Sequence, residues 1–293
     1  MVDIIKELNW MWGAHIQLQS TMYDTVLSSV YLGMNCFQVF IGNPYSFNRR
    51  KFDREDITKA VNLADKYDIR VYSHAPYNYN LAGSIKSLCW SGNSTQDSQT
   101  MSSLSYLEYE LSILANFKGG VVIHPGSNPD NKGCLNSIVK TINKINFPKG
   151  SMLLLENCAG EGTKVPKTLD ELKYILDNVY NKDNVGVCLD TAHIQGSGIF
   201  DLSKISEIDR LFKEFDEKIG LTRLKLIHFN DSKALLGSKL DRHEVVGNGT
   251  IWKNNYNSVV YLLKKIKELG LYTIFEYNKD VLKSAYKLND NIN

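Results

Sequence analysis

No apolar stretch in this chain reaches the roughly 18 to 20 residues that cross a bilayer, so no helical membrane span is expected. The beginning, MVDIIKELNWMWG, sets acids beside its one lysine and has no apolar stretch ending in small residues. No secretion signal is expected there, and an intracellular site follows by elimination. Paired cysteines are also missing. Cys36, Cys89, Cys134, Cys158 and Cys188 are scattered, odd in number and nowhere spaced CxxC. That argues against a disulfide frame or thiolate zinc site and reads as buried reduced thiols. Nor is there an excess of charge of one sign, since 34 Lys and Arg stand against 32 Asp and Glu, a formal net charge of +2. Any surface for nucleic acid must then be local.

What is present is 293 residues, 43% hydrophobic, enough for a large core in one domain. Residues 1–11 read as an N-terminal extension and 279–293 as a C-terminal tail, whose polar stretch KLNDNIN is expected to fray. Between them, short apolar or β-branched runs near 12–16, 36–40, 69–73, 119–123, 151–155, 185–189, 223–227 and 271–275 alternate with segments of helical periodicity near 21–33, 54–67, 97–116, 134–146, 168–180, 203–219 and 254–269. Thr168 and Glu171 have capping-box spacing. Repeated βα units without a Gly-rich phosphate fingerprint after the first run favour a closed (β/α)8 TIM barrel over an open doubly wound sheet. The long connections 74–96, 156–167 and 228–253 follow the third, fifth and seventh runs, and long ordered loops tend to be functional.

Histidine is scarce, and its placement is informative. His74 follows RVYS, His124 follows VVI, Glu156 follows LLL, Asp190 follows GVCL, His228 follows KLI and Glu276 follows TIF. Strands three to eight thus each end in a potential metal ligand, and in a barrel those ends converge on one face. Any one of them alone is better read as a satisfied polar group or helix cap. Six in succession are not, because unpaired carboxylates buried after apolar strands cost several kcal/mol unless cations neutralise them. Asp190 and His193 are three apart and can face one way on a turn, while Asp241 and His243 are two apart and share a face of an extended segment. Imidazole and carboxylate without thiolate suit zinc or manganese, and these ligands exceed what one tetrahedral ion needs. Two or three metals are implied, which suits phosphoester hydrolysis.

At these residues the chain resembles the endonuclease IV family of abasic-site endonucleases, xylose-isomerase-like TIM barrels, over nearly its whole length. The strongest pieces are VGVCLDTAHIQGSG (185–198) and HFNDSKALLGSKLDRHEVVGNGTI (228–251), with GAHI (13–16), HAPYNYNL (74–81), IHPGS (123–127), ENCAGEG (156–162) and FEYN (275–278) in order. The resemblance implies a zinc-dependent enzyme with three ions, manganese being possible at one position. It would cut duplex DNA 5′ to an abasic site in base excision repair, leaving a 3′-hydroxyl and a 5′-deoxyribose phosphate. His74, His124 and Glu156 would hold the first ion. Glu156 would bridge to a second, also held by Asp190, His228 and Glu276, and His193, Asp241 and His243 would hold the third. Glu156 would be catalytic, orienting the attacking hydroxide. Tyr77 matches a DNA-contacting tyrosine. Asn78 stands where an apolar residue can occur and Tyr45 where an arginine is expected, leaving Tyr45 or Phe47 to stack on bases.

Lys233 and Arg242, inside the strand-seven loop motif, are candidates for phosphate contact, and so is the run Arg49, Arg50 and Lys51. His15 is expected to act behind the ligands or on the substrate face. Trp10, Trp12, Trp90 and Trp252 read as core or loop anchors, and the glycines of GEG, GSG and GNG as turn residues. The expected partner is double-stranded DNA carrying abasic sites, acted on by a monomer. The rivals are a metal-dependent sugar isomerase or epimerase on a related barrel and a non-catalytic DNA-damage binder.

Overall fold

Each apolar run forms one strand of a closed barrel in a computed structural model, which describes residues 8–83, 95–277 and 281–292. The barrel strands are β1 (Trp12–His15), β2 (Cys36–Val39), β3 (Arg70–His74), β4 (Gly120–Ile123), β5 (Leu153–Glu156), β6 (Val185–Asp190), β7 (Leu224–His228) and β8 (Tyr272–Phe275). They pair in parallel in chain order, and β8 closes on β1 with Gly13 opposite Ile274. The expected TIM barrel is the observed fold.

Alternation along the strands sorts side chains into two cores. Val121 and Ile123, Leu153 and Leu155, and Val187 and Leu189 join the main core between strands and helices. A separate cluster inside the barrel takes Cys36, Tyr72, Val122, Leu154, Cys188, Leu226, Tyr272 and Ile274. With a period of two, the residue two positions after an inward one lies in the next layer toward the strand ends. That layer is Gln38, His74, His124, Glu156, Asp190, His228 and Glu276. The stretch that gives the barrel its apolar plug therefore also aims its polar end residues at one mouth.

The helices are α1 (Met22–Tyr31), α2 (Arg54–Lys66), α3 (Thr95–Leu114), α4 (Asn131–Ile142), α5 (Leu169–Asn178), α6 (Thr191–Ser197), α7 (Ile205–Lys218), α8 (Tyr256–Glu268) and α9 (Val281–Ile292). Thr168 caps α5 by accepting from Glu171 N–H at 3.1 Å, and the Glu171 carboxylate reaches back to Lys167 N–H at 2.6 Å, one residue short of a strict capping box.

Two helices depart from expectation. α6 is a single short element directly after β6. α9 occupies the polar stretch expected to fray, because Ala285 and Leu288 form a narrow buried stripe along it and Asn289 Oδ1 accepts Asn9 N–H at 2.9 Å. Trp10, Trp12 and Trp252 are buried anchors. Cys36, Cys134, Cys158 and Cys188 are buried and free, whereas Cys89 and Trp90 lie outside the described residues.

Candidate metal centre

The strand ends bring six ligand-type side chains together, and two local devices add the rest. Asp190 both ends β6 and caps α6, its carboxylate accepting His193 N–H at 2.7 Å. The first turn then carries His193 round to face it, with Nδ1 3.8 Å from the same carboxylate. Asp241 and His243 arrive on the long connection after β7, which folds back as a short antiparallel pair of Asp231–Ser232 with His243–Glu244.

Glu156 stands at the centre, fully buried. His74 Nε2 lies 3.1 Å, His228 Nδ1 3.0 Å, His193 Nδ1 3.3 Å and His124 Nε2 3.6 Å from its two oxygens. Three sets could each hold a cation: His74, His124 and Glu156; Glu156, Asp190, His228 and Glu276; and Asp190, His193 and His243, with ligand atoms in each set within 4.8 Å of one another. Asp241 adds to the last set, 3.1 Å from both His193 Nε2 and His243 Nε2.

Burial opposes charge on all of these groups, and their mutual contacts decide the outcome. Burial pushes Glu156 up, but the imidazoles of His124, His228 and His193 outweigh it and hold the carboxyl well below the usual range. Glu276 and Asp241 are held low by histidines in the same way, while burial leaves Asp190 raised. Against burial, the carboxylates lift His193 well above the ordinary imidazole value and His243 to about 9, and Cys188 with Glu276 and Glu156 lifts His228 well above it. His124, where burial dominates, falls to about 4. Protons on imidazoles thus balance four crowded carboxylates, the task a divalent cation performs at the same atoms.

The donor set fits such a cation. His74 donates its Nδ1–H to the Ala75 carbonyl at 2.7 Å, which leaves Nε2 available to a cation. His228 donates Nε2–H to Gln38 Oε1 at 2.9 Å, leaving Nδ1 toward Glu156 and Glu276. Imidazoles that bind metals are oriented in this manner. His124 Nδ1, His193 Nδ1 and His243 Nε2 are buried without a hydrogen bond. The last two have carboxylate oxygens 3.3 and 3.1 Å away, so a cation there would replace the imidazole proton between the same atoms.

Three supporting residues escaped the sequence reading. Gln38 Nε2 donates to Glu276 Oε1 at 2.8 Å and to His15 Nδ1 at 3.1 Å. Asn230 Nδ2 donates to Asp190 at 2.7 Å and Glu276 at 3.1 Å. Asn157 brackets the backbone of Asp190, accepting its N–H at 2.7 Å. The signal for Gln38 was a lone amide inside the apolar run CFQVF, in step with the ligands. His15 sits behind Gln38, and burial lowers its imidazole to about 4.

The residues expected to meet DNA separate into two groups. Tyr77 is 52% and Tyr45 75% exposed, their rings 5.5 Å apart, and Tyr77 stacks on His124 at 6.3 Å. Asn78 is half-buried beside Tyr77. Lys233 and Arg242 are exposed, 3.9 Å from Glu244 and 3.6 Å from Glu161 respectively. Arg49 corrects the expected basic run. Its buried guanidinium donates to the Ile41, Asn43, Ser46 and Asn48 carbonyls and to the Tyr79 hydroxyl, and pairs with Glu110 at 3.3 Å. A loop that curls round so many carbonyls needs a donor at its centre; of the rest of the run, Lys51 is exposed and Arg50 is half-buried, its guanidinium donating to the Gln19 and Ser20 carbonyls. Phe47 likewise turns inward, stacked on Tyr79 at 5.5 Å.

A family model described as xylose isomerase-like TIM barrel matches residues 29–291, which defines the class. Within it, the chain is 31% identical over 296 residues to the probable endonuclease 4 of Ureaplasma parvum, covering 95% of this chain and 91% of that one. Endonuclease IV from Thermus thermophilus superposes with a TM-score of 0.77 at 23% identity, over 96% of this chain and 97% of that one. D-allulose 3-epimerase from Methylomonas sp. shares the fold less closely, with a TM-score of 0.61 at 15% identity over 97% and 90% of the two chains. The chain belongs to the endonuclease IV family.

Proposed function

We propose that this chain is a metal-dependent endonuclease that hydrolyses the phosphodiester bond 5′ to abasic sites in duplex DNA, leaving a 3′-hydroxyl and a 5′-deoxyribose phosphate. The observation that carries the reading is the convergence of three ligand sets around buried Glu156 at the barrel mouth. His74, His124 and Glu156 would hold one zinc ion; Glu156, Asp190, His228 and Glu276 a second; and His193, Asp241 and His243 a third, with manganese possible at one position. Bound there, such ions supply Lewis acidity for water activation, phosphate neutralisation and leaving-group stabilisation.

The chain's own residues orient that chemistry. Glu156, ionised at neutral pH, keeps one carboxylate shared between ligand sets, while Gln38 and Asn230 lock the rotamers of His228, Asp190 and Glu276. The aromatic edge of Tyr45 and Tyr77, with Asn78, faces the DNA, and Lys233 and Arg242 neutralise phosphates. A sugar isomerase on this barrel needs neither the third ligand set nor an exposed aromatic edge, and a mere binder needs no buried carboxylates. We take the protein to act as a monomer, as one domain, wherever the DNA is.

The test is a duplex carrying one tetrahydrofuran abasic analogue. Incision 5′ to the lesion that survives brief EDTA treatment and is lost in Glu156→Gln is expected. Unchanged incision by that variant would refute the mechanism, and one or two ions per chain with no nicking would favour an isomerase.

A further inference from the structure

Three of the four well-exposed leucines among the described residues fall in one short stretch: Leu235 (70%), Leu236 (43%) and Leu240 (45%). The stretch is held firmly. Gly237 N–H donates to Gln195 O and Lys239 N–H to Gly196 O, both at 2.9 Å, and Thr250 Oγ1 donates to Ala234 O at 2.6 Å. The backbone passes through left-handed conformations at Gly237 and Lys239, φ 72 and 57°. Their loop leads into the candidate ligands. Leu240 precedes Asp241, and the loop lies on α6, which carries His193. The rings of Tyr77, His124, His193 and His243 run in a row with centroids 6.3, 5.4 and 5.5 Å apart. Tyr77 therefore stands at one end of this row of rings and His243, three residues after Leu240, at the other.

Resting on the proposed endonuclease reading, we propose that Leu235 and Leu236 form a second edge that inserts into the duplex, on a different loop from Tyr45 and Tyr77. Exposed Lys233, Lys239 and Arg242 flank the leucines, a pattern suited to phosphates around an opened base step, and apolar wedges of this kind unstack and kink DNA. A second copy of the chain fits the edge less well. Three leucines bury far less than the roughly 1,000 Å² of a stable interface, and each copy would set its cations against those of the other.

The experiment places 2-aminopurine beside a tetrahydrofuran analogue in a duplex and follows its fluorescence as protein is added. The wild type is expected to raise the signal. The variant Leu235→Ser with Leu236→Ser should lose the rise and bind the abasic duplex about tenfold more weakly, with binding to undamaged duplex and the melting curve unchanged. Leu235→Met with Leu236→Met should keep both properties. If the wild type prefers and incises abasic duplex while the serine pair matches it in signal and affinity, the leucine edge alone is overturned. The same holds if the serine pair only dissolves a wild-type dimer seen by sedimentation. A wild type with no preference for abasic duplex overturns the endonuclease reading and the edge with it.

Discussion

Gln38 makes contact with three side chains at once, its Oε1 accepting a hydrogen bond from His228 Nε2–H and its Nε2 donating to Glu276 and His15. Replacing it by leucine keeps most of its volume but frees His228 to change tautomer. Gln38→Leu is expected to weaken metal retention by about 10- to 100-fold without unfolding the barrel, read by competition with a chelator. Glu110, behind His74, offers a second residue-scale test, made on metal-free protein. Burial pushes its carboxyl up to about 7 from the ordinary 4.5, the Arg49 guanidinium offsetting only part of that. The folded chain then keeps a proton that the unfolded chain releases above about 4.5, so this group's contribution is full below that pH and is lost as pH rises through 7. Relative to Glu110→Gln, the wild type should lose stability between those values. Chemical denaturation at a series of pH values checks this, and a flat difference would refute it.

The elements show how little spare room the site has. Gly196 lies within α6, where alanine ordinarily stabilises an exposed helix by about 1 kcal/mol. Here an added Cβ would stand 2.7 Å from Ala159 Cβ and 2.9 Å from the Leu240 carbonyl. Gly196→Ala should instead cost about 1 to 3 kcal/mol and loosen the set that includes Asp241, measured by thermal melting together with metal content. The strand-seven connection is pinned by Asp231, buried within HFND and not a metal ligand. Its carboxylate accepts Ser232 N–H at 2.8 Å, Ile251 N–H at 3.1 Å, and Gly247 and Gly249 N–H at 3.0 Å each. Asp231→Ala would strand these donors and is expected to destabilise the fold by about 3 kcal/mol or more, seen as a lowered denaturation midpoint.

At the scale of the whole molecule, the centre joins strands from β3 round to β8, so ligand binding tightens most of the barrel wall. Saturation with zinc is expected to stabilise the fold by about 2.7 kcal/mol at one hundred times the dissociation constant, and stripping the metal to lower the melting temperature accordingly. Because His193 and His228 are held protonated and His243 titrates near 9 without metal, loading at pH 7 should release protons, and affinity should fall as pH falls. Calorimetry in two buffers of different ionisation enthalpy reads the proton count directly; equal heats in both would contradict this charge balance.

Local pattern alone determined much of this protein. An apolar run terminated by His, Asp or Glu is a strand with a polar end wherever it lies, and its repetition made the barrel and six of the candidate ligands legible. The spacings of Asp190 with His193 and of Asp241 with His243 were equally local. Only the tertiary structure decided that Arg49 turns inward to Glu110, that Gln38 shares the layer of the ligands, that the polar last stretch forms a helix against α8, and that Leu235 and Leu236 stay outside. Each of those outcomes depends on what a distant segment places opposite the residue. Burial, hydrogen-bond satisfaction and charge neutralisation are set across the fold, and neighbours in sequence do not reveal them.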